Sequence, residues 1–481
     1  MKLKNPNLFQ QKSFINGKWA DNQKKISVHN PANQTLIGTI PNHDQADVAN
    51  AIDGAKIAFE KWKKLTGKER AKILHKWYEL IVENQDDLAI ILTMEQGKPI
   101  IEARGEILYG ANFVEWFSEE AKRIYGDVIL APKNNQKIIT TREPVGVVAA
   151  ITPWNFPSAM ITRKASAAMA AGCSVILKPS ELTPYSALAL AALAHEAGIP
   201  DGVFNVITGD AQIIGEEFCT NKKVRKISFT GSTRVGKLLS KQCAEDIKRV
   251  SLELGGSAPF IVFADADLDK AIKGLMHAKF RNGGQACTCV NRIFIEEKIH
   301  DKFVEKLLNE VKKLVVGNSL EGSPNIGPMI TNDAVKKVER LIADALKSGA
   351  KCEIGGEKDK VLGGQFFSPT VLTKVTQEMA IAQEEIFGAV AAIQKFTSEE
   401  EVIRLANDTE YGLGSYIYTQ DNARIWRVSE ALEFGMVGIN EPSFATEVAP
   451  FGGIKHSGFG REGSYLGIEE FCQVKTLHIS Y

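Results

Sequence analysis

The stretch "RNGGQACTCVNR", residues 281–292, sets Cys287 and Cys289 two positions apart in a glycine-rich, basic setting. Two such thiols can ligate a metal, fill a core or attack an electrophile. A zinc site needs a second pair of Cys or His at ligand spacing, and Cys243, Cys352 and His277 each stand alone, so no metal is expected. Free Cys does pack as a small hydrophobe. Gly283, Gly284 and Gln285, however, shape a loop and expose backbone rather than fill a core, which makes a nucleophilic thiol the sharper reading.

A nucleophile needs a scaffold, and the sequence pattern supplies one. From 44 to 123 the segments "DQADVANAIDGAKIAFEKWKKL", "GKERAKILHKWYELIVENQDDLAIILTMEQGK" and "EILYGANFVEWFSEEAKRIYG" repeat apolar residues at spacings of three and four, which predicts helices. From 145 to 263 short runs such as "VGVVAAIT", "CSVILKP", "KISFTG" and "APFIVF" alternate with helical segments, and the alternation resumes after 290. Strand and helix in turn, joined by short loops, predict parallel α/β sheets, and the length fits two such domains. No G-x-G-x-x-G follows a strand, so the usual dinucleotide fingerprint is absent. "FTGSTRVG" (229–236) still ends a strand and opens a helix at Gly231 and Ser232, where free amides suit a phosphate; alone, the same turn serves plain crossover geometry.

Composition narrows the partners. The 481 residues are 44% hydrophobic and 24% charged, with 58 Lys+Arg against 58 Asp+Glu. Zero formal net charge removes the electrostatic case for nucleic acid or an anionic membrane surface. Seven scattered cysteines do not make a secreted disulfide framework, and "MKLKNPNLFQQKSF" lacks the apolar run of a signal peptide. No stretch approaches the ~18 consecutive apolar residues of a membrane span. A soluble protein of the reducing cytoplasm, acting on a small molecule, is expected.

Seven segments together resemble the aldehyde dehydrogenase superfamily across nearly the whole chain: "PWNFP" (153–157), "KPSE" (178–181), "FTGS" (229–232), "LELGGSAP" (252–259), "GGQAC" (283–287), "EEIFG" (384–388) and "PFGGIKHSGFGREG" (450–463). The resemblance implies an α/β fold with two Rossmann-like parallel-sheet domains and a β oligomerisation arm. It implies NAD(P)-dependent oxidation of an aldehyde to a carboxylic acid. Cys287 falls at the nucleophile position and would form a thiohemiacetal and then a thioester. Asn155, with the Cys287 backbone N–H, would stabilise the oxyanion, and Glu253 would be the general base for hydrolysis. Trp154, Lys178, Ser180, Glu181, Gly231, Ser232, Glu385 and Phe387 match cofactor positions, Glu181 favouring NAD while NADP stays possible. Lys178 and Glu462 are expected to relay the proton from Glu253. Ala389 stands where relatives commonly carry Pro.

Within the superfamily, "WNFPSAMITRK", "KFRNGGQACTCVNR" and "EVAPFGGIKHSGFGREGS" are most similar to succinate-semialdehyde dehydrogenases. Their two carboxylate-binding arginines fall at Arg163 and Arg281, with Phe451 and Ser443 also expected at the substrate. Ala445 replaces a serine contact of those relatives, which keeps another aldehyde such as glutarate semialdehyde open. A coenzyme A-acylating or a non-catalytic relative are the remaining alternatives, and retention of Asn155, Glu253 and Cys287 together speaks against the second. The resemblance divides the chain into a cofactor domain (1–121 and 145–252), a catalytic domain (253–445), and an arm with the C-terminal tail (122–144 and 446–481), in a homodimer or homotetramer. The C-x-C spacing of Cys287 and Cys289 is shared with relatives that a disulfide between those positions switches off.

Overall fold

The computed structural model describes residues 2–444 and 446–481, so the departure at Ala445 lies outside the described residues. Two large sheets organise the chain. In the first, Val147–Ile151 is flanked by Ser174–Lys178 and Phe204–Val206 on one side and by Val224–Thr230 and Arg249–Glu253 on the other, all parallel. The run Ser174–Lys178 is buried at every position, as a strand covered by helices on both faces must be. Because the strand order reverses on either side of Val147–Ile151, a crevice opens at the carboxyl ends of this strand and of Val224–Thr230. There the register pairs Phe229 with Ile151 and Thr230 with Glu253, so the segments that follow these strands emerge side by side.

The second sheet is parallel through Thr370–Thr373, Val390–Phe396, Val290–Glu296, Ala258–Val262, Gly414–Tyr418 and Met436–Ile439, with Lys351–Ile354 antiparallel at one edge. The expected pair of Rossmann-like sheets is therefore present. So is the arm: Gln136–Pro144 pairs antiparallel with Cys472–Ser480 and with Val128–Ile129. Leu130 on this arm is 97% exposed, and Val128, Val474 and Tyr481 are also exposed.

The long helical segment ending at "MEQGK" is two helices, Gly67–Glu83 and Gln85–Gln96. Asn84 makes the break by turning its amide back onto the Leu80 carbonyl at 2.9 Å. Four short strands between residues 13 and 41 precede the first helix. Gly458–Phe459, in the C-terminal segment, pairs antiparallel with Arg249–Glu253 and so extends the first sheet. Among the described residues no helix is long and apolar enough to cross a membrane, and no group of three or more His, Cys, Asp or Glu could hold a metal ion.

Candidate active site

A cavity of about 320 Å³ lies between the carboxyl ends of the first sheet and the loop carrying Cys287. Trp154 and Asn155 enter it from the turn after Val147–Ile151, and Gly231 and Ser232 from the turn after Val224–Thr230. Cys287 enters from the second sheet's side, just after a turn in which Asn282, Gly283 and Gly284 all have positive φ. Glycine is required at 284, since a Cβ there would come 2.2 Å from the Gly388 carbonyl oxygen. That close approach seats the thiol loop beside Phe387, whose ring meets Trp154 edge-on at 5.5 Å.

Burial pushes the Cys287 thiol up to about 12, with the Glu253 and Glu385 charges adding to the shift and Arg163 and Arg281 opposing it. The resting group is a thiol, and a base must take its proton before it can attack. Asn155 is buried and donates one amide hydrogen to the Gln285 carbonyl at 3.1 Å. An amide carries two hydrogens, so the other remains for an oxyanion.

Glu253 ends its strand behind the cavity wall, with Oε2 buried and without a hydrogen-bond partner among the described residues. Burial, and then the Glu462 charge, hold its carboxyl well above the usual range, against the pull of Arg163, Lys164 and Arg461. A carboxyl raised in this way is a stronger base than an ordinary carboxylate, as proton abstraction requires. Glu462 is the opposite case: Lys164 and Arg163 outweigh burial and hold it below the usual range.

Lys178, also expected in the relay, is buried at the end of Ser174–Lys178 and donates to Glu181 at 2.8 Å, whereas the principal charges on Glu253 are those of Glu462, Arg163, Lys164 and Arg461. The lysine that meets Glu462 is Lys164, one residue after Arg163 on a helix, Ala159–Ala171, that is buried on every side. The sequence does signal it, because Lys164 ends the quoted "WNFPSAMITRK". A lysine on a small-residue, fully enclosed helix needs a carboxylate.

Of the expected cofactor residues, Trp154, Gly231, Ser232, Glu385 and Phe387 line the cavity, whereas Lys178, Ser180 and Glu181 stand outside its wall. Ser232 caps the helix Thr233–Ala244 by accepting from the Val235 amide at 3.4 Å. Ser180 accepts from the Leu182 amide in a local turn. Glu385 accepts from the Gly256 amide at 3.0 Å, and burial raises its carboxyl to about 7.

The opposite end of the cavity holds Arg163, Arg281, Ser443 and Phe451. Arg163 stacks on Phe451 with its guanidinium carbon 4.1 Å from the ring centre. Its Nη2 is 2.8 Å from Glu462 Oε2, an ion pair without hydrogen-bond alignment, so Nε and Nη2 remain buried donors without a hydrogen-bond partner among the described residues. Arg281 has no carboxylate within 4.0 Å among the described residues and sits 5.3 Å from the Phe156 ring. Tyr109, Phe156, Tyr416 and Phe444 line the same cavity, and sequence reasoning did not reach them.

Cys289 is turned away from this cavity. It is buried, its thiol donates to the Lys279 and Val290 carbonyls at 3.4 and 3.6 Å, and both it and Cys287 are free thiols.

With that geometry in hand, the sequence matches the aldehyde dehydrogenase family over residues 19–477. It is 55% identical over 482 residues to the glutarate-semialdehyde dehydrogenase of Pseudomonas putida, covering 100% of both chains. It is 53% identical over 481 residues to the NADP(+) succinate-semialdehyde dehydrogenase of Escherichia coli, again covering 100% of both. The crystal structure of an aldehyde dehydrogenase from Brucella melitensis biovar abortus superposes with a TM-score of 0.99 at 54% identity, over 100% of this chain and 99% of that one.

Proposed function

Because this chain belongs to the aldehyde dehydrogenase family, we propose that it oxidises a short semialdehyde with a distal carboxylate, succinate semialdehyde foremost, to the dicarboxylic acid. It is an NAD(P)-dependent oxidoreductase of aldehydes. The observation that carries the substrate class is the pair of guanidinium groups facing the cavity of Cys287, one with unpaired donors and one with no carboxylate partner among the described residues. Planar guanidinium forks suit a carboxylate. Glutarate semialdehyde, one methylene longer, is the second reading, favoured by the 55% identity to an enzyme named for it.

The cavity fits a nicotinamide dinucleotide. The buried Thr230 hydroxyl in its wall has no hydrogen-bond partner among the described residues, the Ser232-capped helix presents its first amides beside it, and Glu385 supplies a carboxylate beside Phe387. Trp154, Gly231, Ser232, Glu385 and Phe387 would hold the group, and Lys178, Ser180 and Glu181, outside the cavity wall, would add polar contacts to it. The Glu181 carboxylate, 45% exposed and anchored by Lys178, favours NAD over the 2′-phosphate of NADP. When bound, the cofactor supplies the hydride acceptor.

This chain's residues do the rest. Arg163 and Arg281 fix the distal carboxylate while Phe156, Tyr416 and Phe444 exclude water along the chain of the substrate. Glu253 takes the Cys287 proton, and the thiolate adds to the aldehyde carbon. The Asn155 amide and the Cys287 N–H hold the resulting oxyanion. Once hydride has left and the thioester remains, Glu253 gives its first proton up to solvent and, ionised again, takes one from water, whose hydroxide adds to the acyl carbon and expels the Cys287 thiolate. Arg163 and Lys164, both paired with Glu462, lower the Glu253 carboxyl and so favour release of the proton it has taken.

The subunit is further proposed to assemble as a homodimer or homotetramer, because the exposed apolar face of Val128, Leu130 and Val474 has no cover within the chain. The seven free cysteines suit a reducing cytoplasm. The substrate proposal is tested by comparing kcat/KM for succinate semialdehyde and for butanal, which has the same carbon count without the carboxylate. A preference of about tenfold or more for the acid is expected from one charge-assisted bond, and equal values would overturn it.

A further inference from the structure

Lys98, Glu106 and Asn282 form a buried polar cluster that the mechanism above leaves unused. The Lys98 ammonium donates to Glu106 Oε2 at 2.6 Å and to the backbone carbonyl of Asn155 at 2.7 Å, and it stands 3.8 Å from the centre of the Phe156 ring. Neither charged side chain reaches solvent. The other Glu106 oxygen accepts from the Ser158 and Ala159 amides at 2.9 and 3.2 Å, where the helix Ala159–Ala171 begins. One ion pair therefore grips the turn 155–159 by the carbonyl at its start and by the amides at its end. From the nucleophile's side, Asn282 Nδ2 donates both to the Asn155 carbonyl at 3.1 Å and to the Gln285 carbonyl at 3.0 Å. The Asn282 backbone N–H is fixed in turn by Glu102 at 2.8 Å.

Burying both charges costs desolvation that the attraction barely offsets, so such a pair adds little net stability; what it supplies here is fixed geometry. An oxyanion donor needs that, because its amide has to meet a developing charge at about 2.7–3.1 Å. We infer that Lys98, with Glu106 as its counter-ion, is a positioning residue of the oxyanion hole: by holding the Asn155 carbonyl it aims the Asn155 side-chain amide at the oxygen of the carbonyl attacked by Cys287. Asn282 ties the same carbonyl to the loop of the nucleophile, so the donor and the thiol keep one spacing. The inference rests on the reading of Asn155 as oxyanion donor and Cys287 as nucleophile.

The test compares Lys98→Met, Asn155→Ala and the double variant in the full-length enzyme with NAD and succinate semialdehyde. Two rates are read per titrated active site: the first-turnover burst of reduced cofactor, and alkylation of Cys287 by iodoacetamide. Alkylation displaces iodide at a saturated carbon and builds no oxyanion, so only the burst senses the Asn155 amide. Loss of an oxyanion donor costs roughly 100- to 1,000-fold. Lys98→Met is expected to slow the burst by about 10- to 100-fold, to leave alkylation within about twofold, and to add nothing to Asn155→Ala in the double variant. An unchanged burst, a parallel fall in alkylation, or additive losses in the double variant would each overturn the positioning role. If Asn155→Ala itself leaves the burst intact, the oxyanion assignment fails and this inference fails with it. Should Lys98→Met not fold with Glu106 left unpaired, Glu106→Gln retains an acceptor for the helix amides, removes the counter-charge and is held to the same outcomes.

Discussion

Glu462 approaches Arg163 to 2.8 Å, which leaves the two arginines of the cavity unequal: Arg163 is partly neutralised, and Arg281 faces no carboxylate within 4.0 Å among the described residues. Arg281→Ala is therefore expected to raise KM for succinate semialdehyde by about 10- to 100-fold, the equivalent of losing one charge-assisted bond, with KM for butanal nearly unchanged. Steady-state kinetics on both aldehydes checks this. Equal losses on the two would mean that Arg281 supports structure rather than the carboxylate.

Arg163→Gln should act differently. Arg163 lowers the Glu253 carboxyl, so its neutralisation lets that group rise further, and the acid limb of the kcat profile, which requires ionised Glu253, moves to higher pH. The principal charges on Glu253 are those of Glu462, Arg163, Lys164 and Arg461, so Arg281→Ala should move that limb far less. Acid limbs measured for the two variants that shift together would contradict the assigned geometry.

Splitting nucleophile from base gives a second pair of outcomes. Cys287→Ala should abolish turnover, whereas Glu253→Gln, lacking the base for both the thiol and the water, is expected to slow the first turnover and to release at most about one reduced cofactor per site before stalling on its thioester. Stopped-flow absorbance of the reduced cofactor distinguishes them. Undiminished steady-state turnover in Cys287→Ala would remove the nucleophile assignment.

Which of Lys164 and Lys178 serves the relay is also measurable. Lys164→Met takes one of the cations that lower Glu462 and one of those that lower Glu253, so the acid limb again moves upward. Lys178→Met breaks only the 2.8 Å contact to Glu181 and should appear as a raised KM for NAD with the limb in place. An upward shift of the limb in Lys178→Met would instead place Lys178 in the relay.

These residues show what a sequence carries and what it hides. Parallel strands such as Ser174–Lys178 were legible because a strand covered on both faces has to be a continuous β-branched or aliphatic run. Gly458–Phe459, only two residues long, leaves no such trace, and the break at Asn84 depends on one side-chain bond inside an otherwise continuous helical pattern. The site divides in the same way. Asn155, Glu253 and Cys287 sit in motifs whose order announces them, but which lysine serves Glu462 depends on the packing of a helix against a C-terminal loop almost 300 positions away, at a separation of 298 residues. Lys98 and Glu106 straddle Pro99 at the start of a helix and meet Asn155 only through tertiary contact.

The second thiol supplies the last prediction. Cys289 donates to two carbonyls beneath the loop, so closing a bond to Cys287 requires it to give up both contacts and turn outward. Peroxide entering the cavity would convert half-buried Cys287 to its sulfenic acid; attack by the Cys289 thiol would expel water and leave a disulfide that dithiothreitol reduces. A ring this small is strained and reduced with ease. Mild peroxide is accordingly expected to inactivate the wild-type enzyme reversibly, with the oxidised Cys287–Cys289 peptide visible by mass spectrometry. Without the resolving thiol, Cys289→Ala should proceed to over-oxidised Cys287 and recover only a small part of its activity. If Cys289→Ala loses activity as fast as wild type and recovers as fully with thiol, the intramolecular bond is not the switch, and the buried contacts of Cys289 are its whole role.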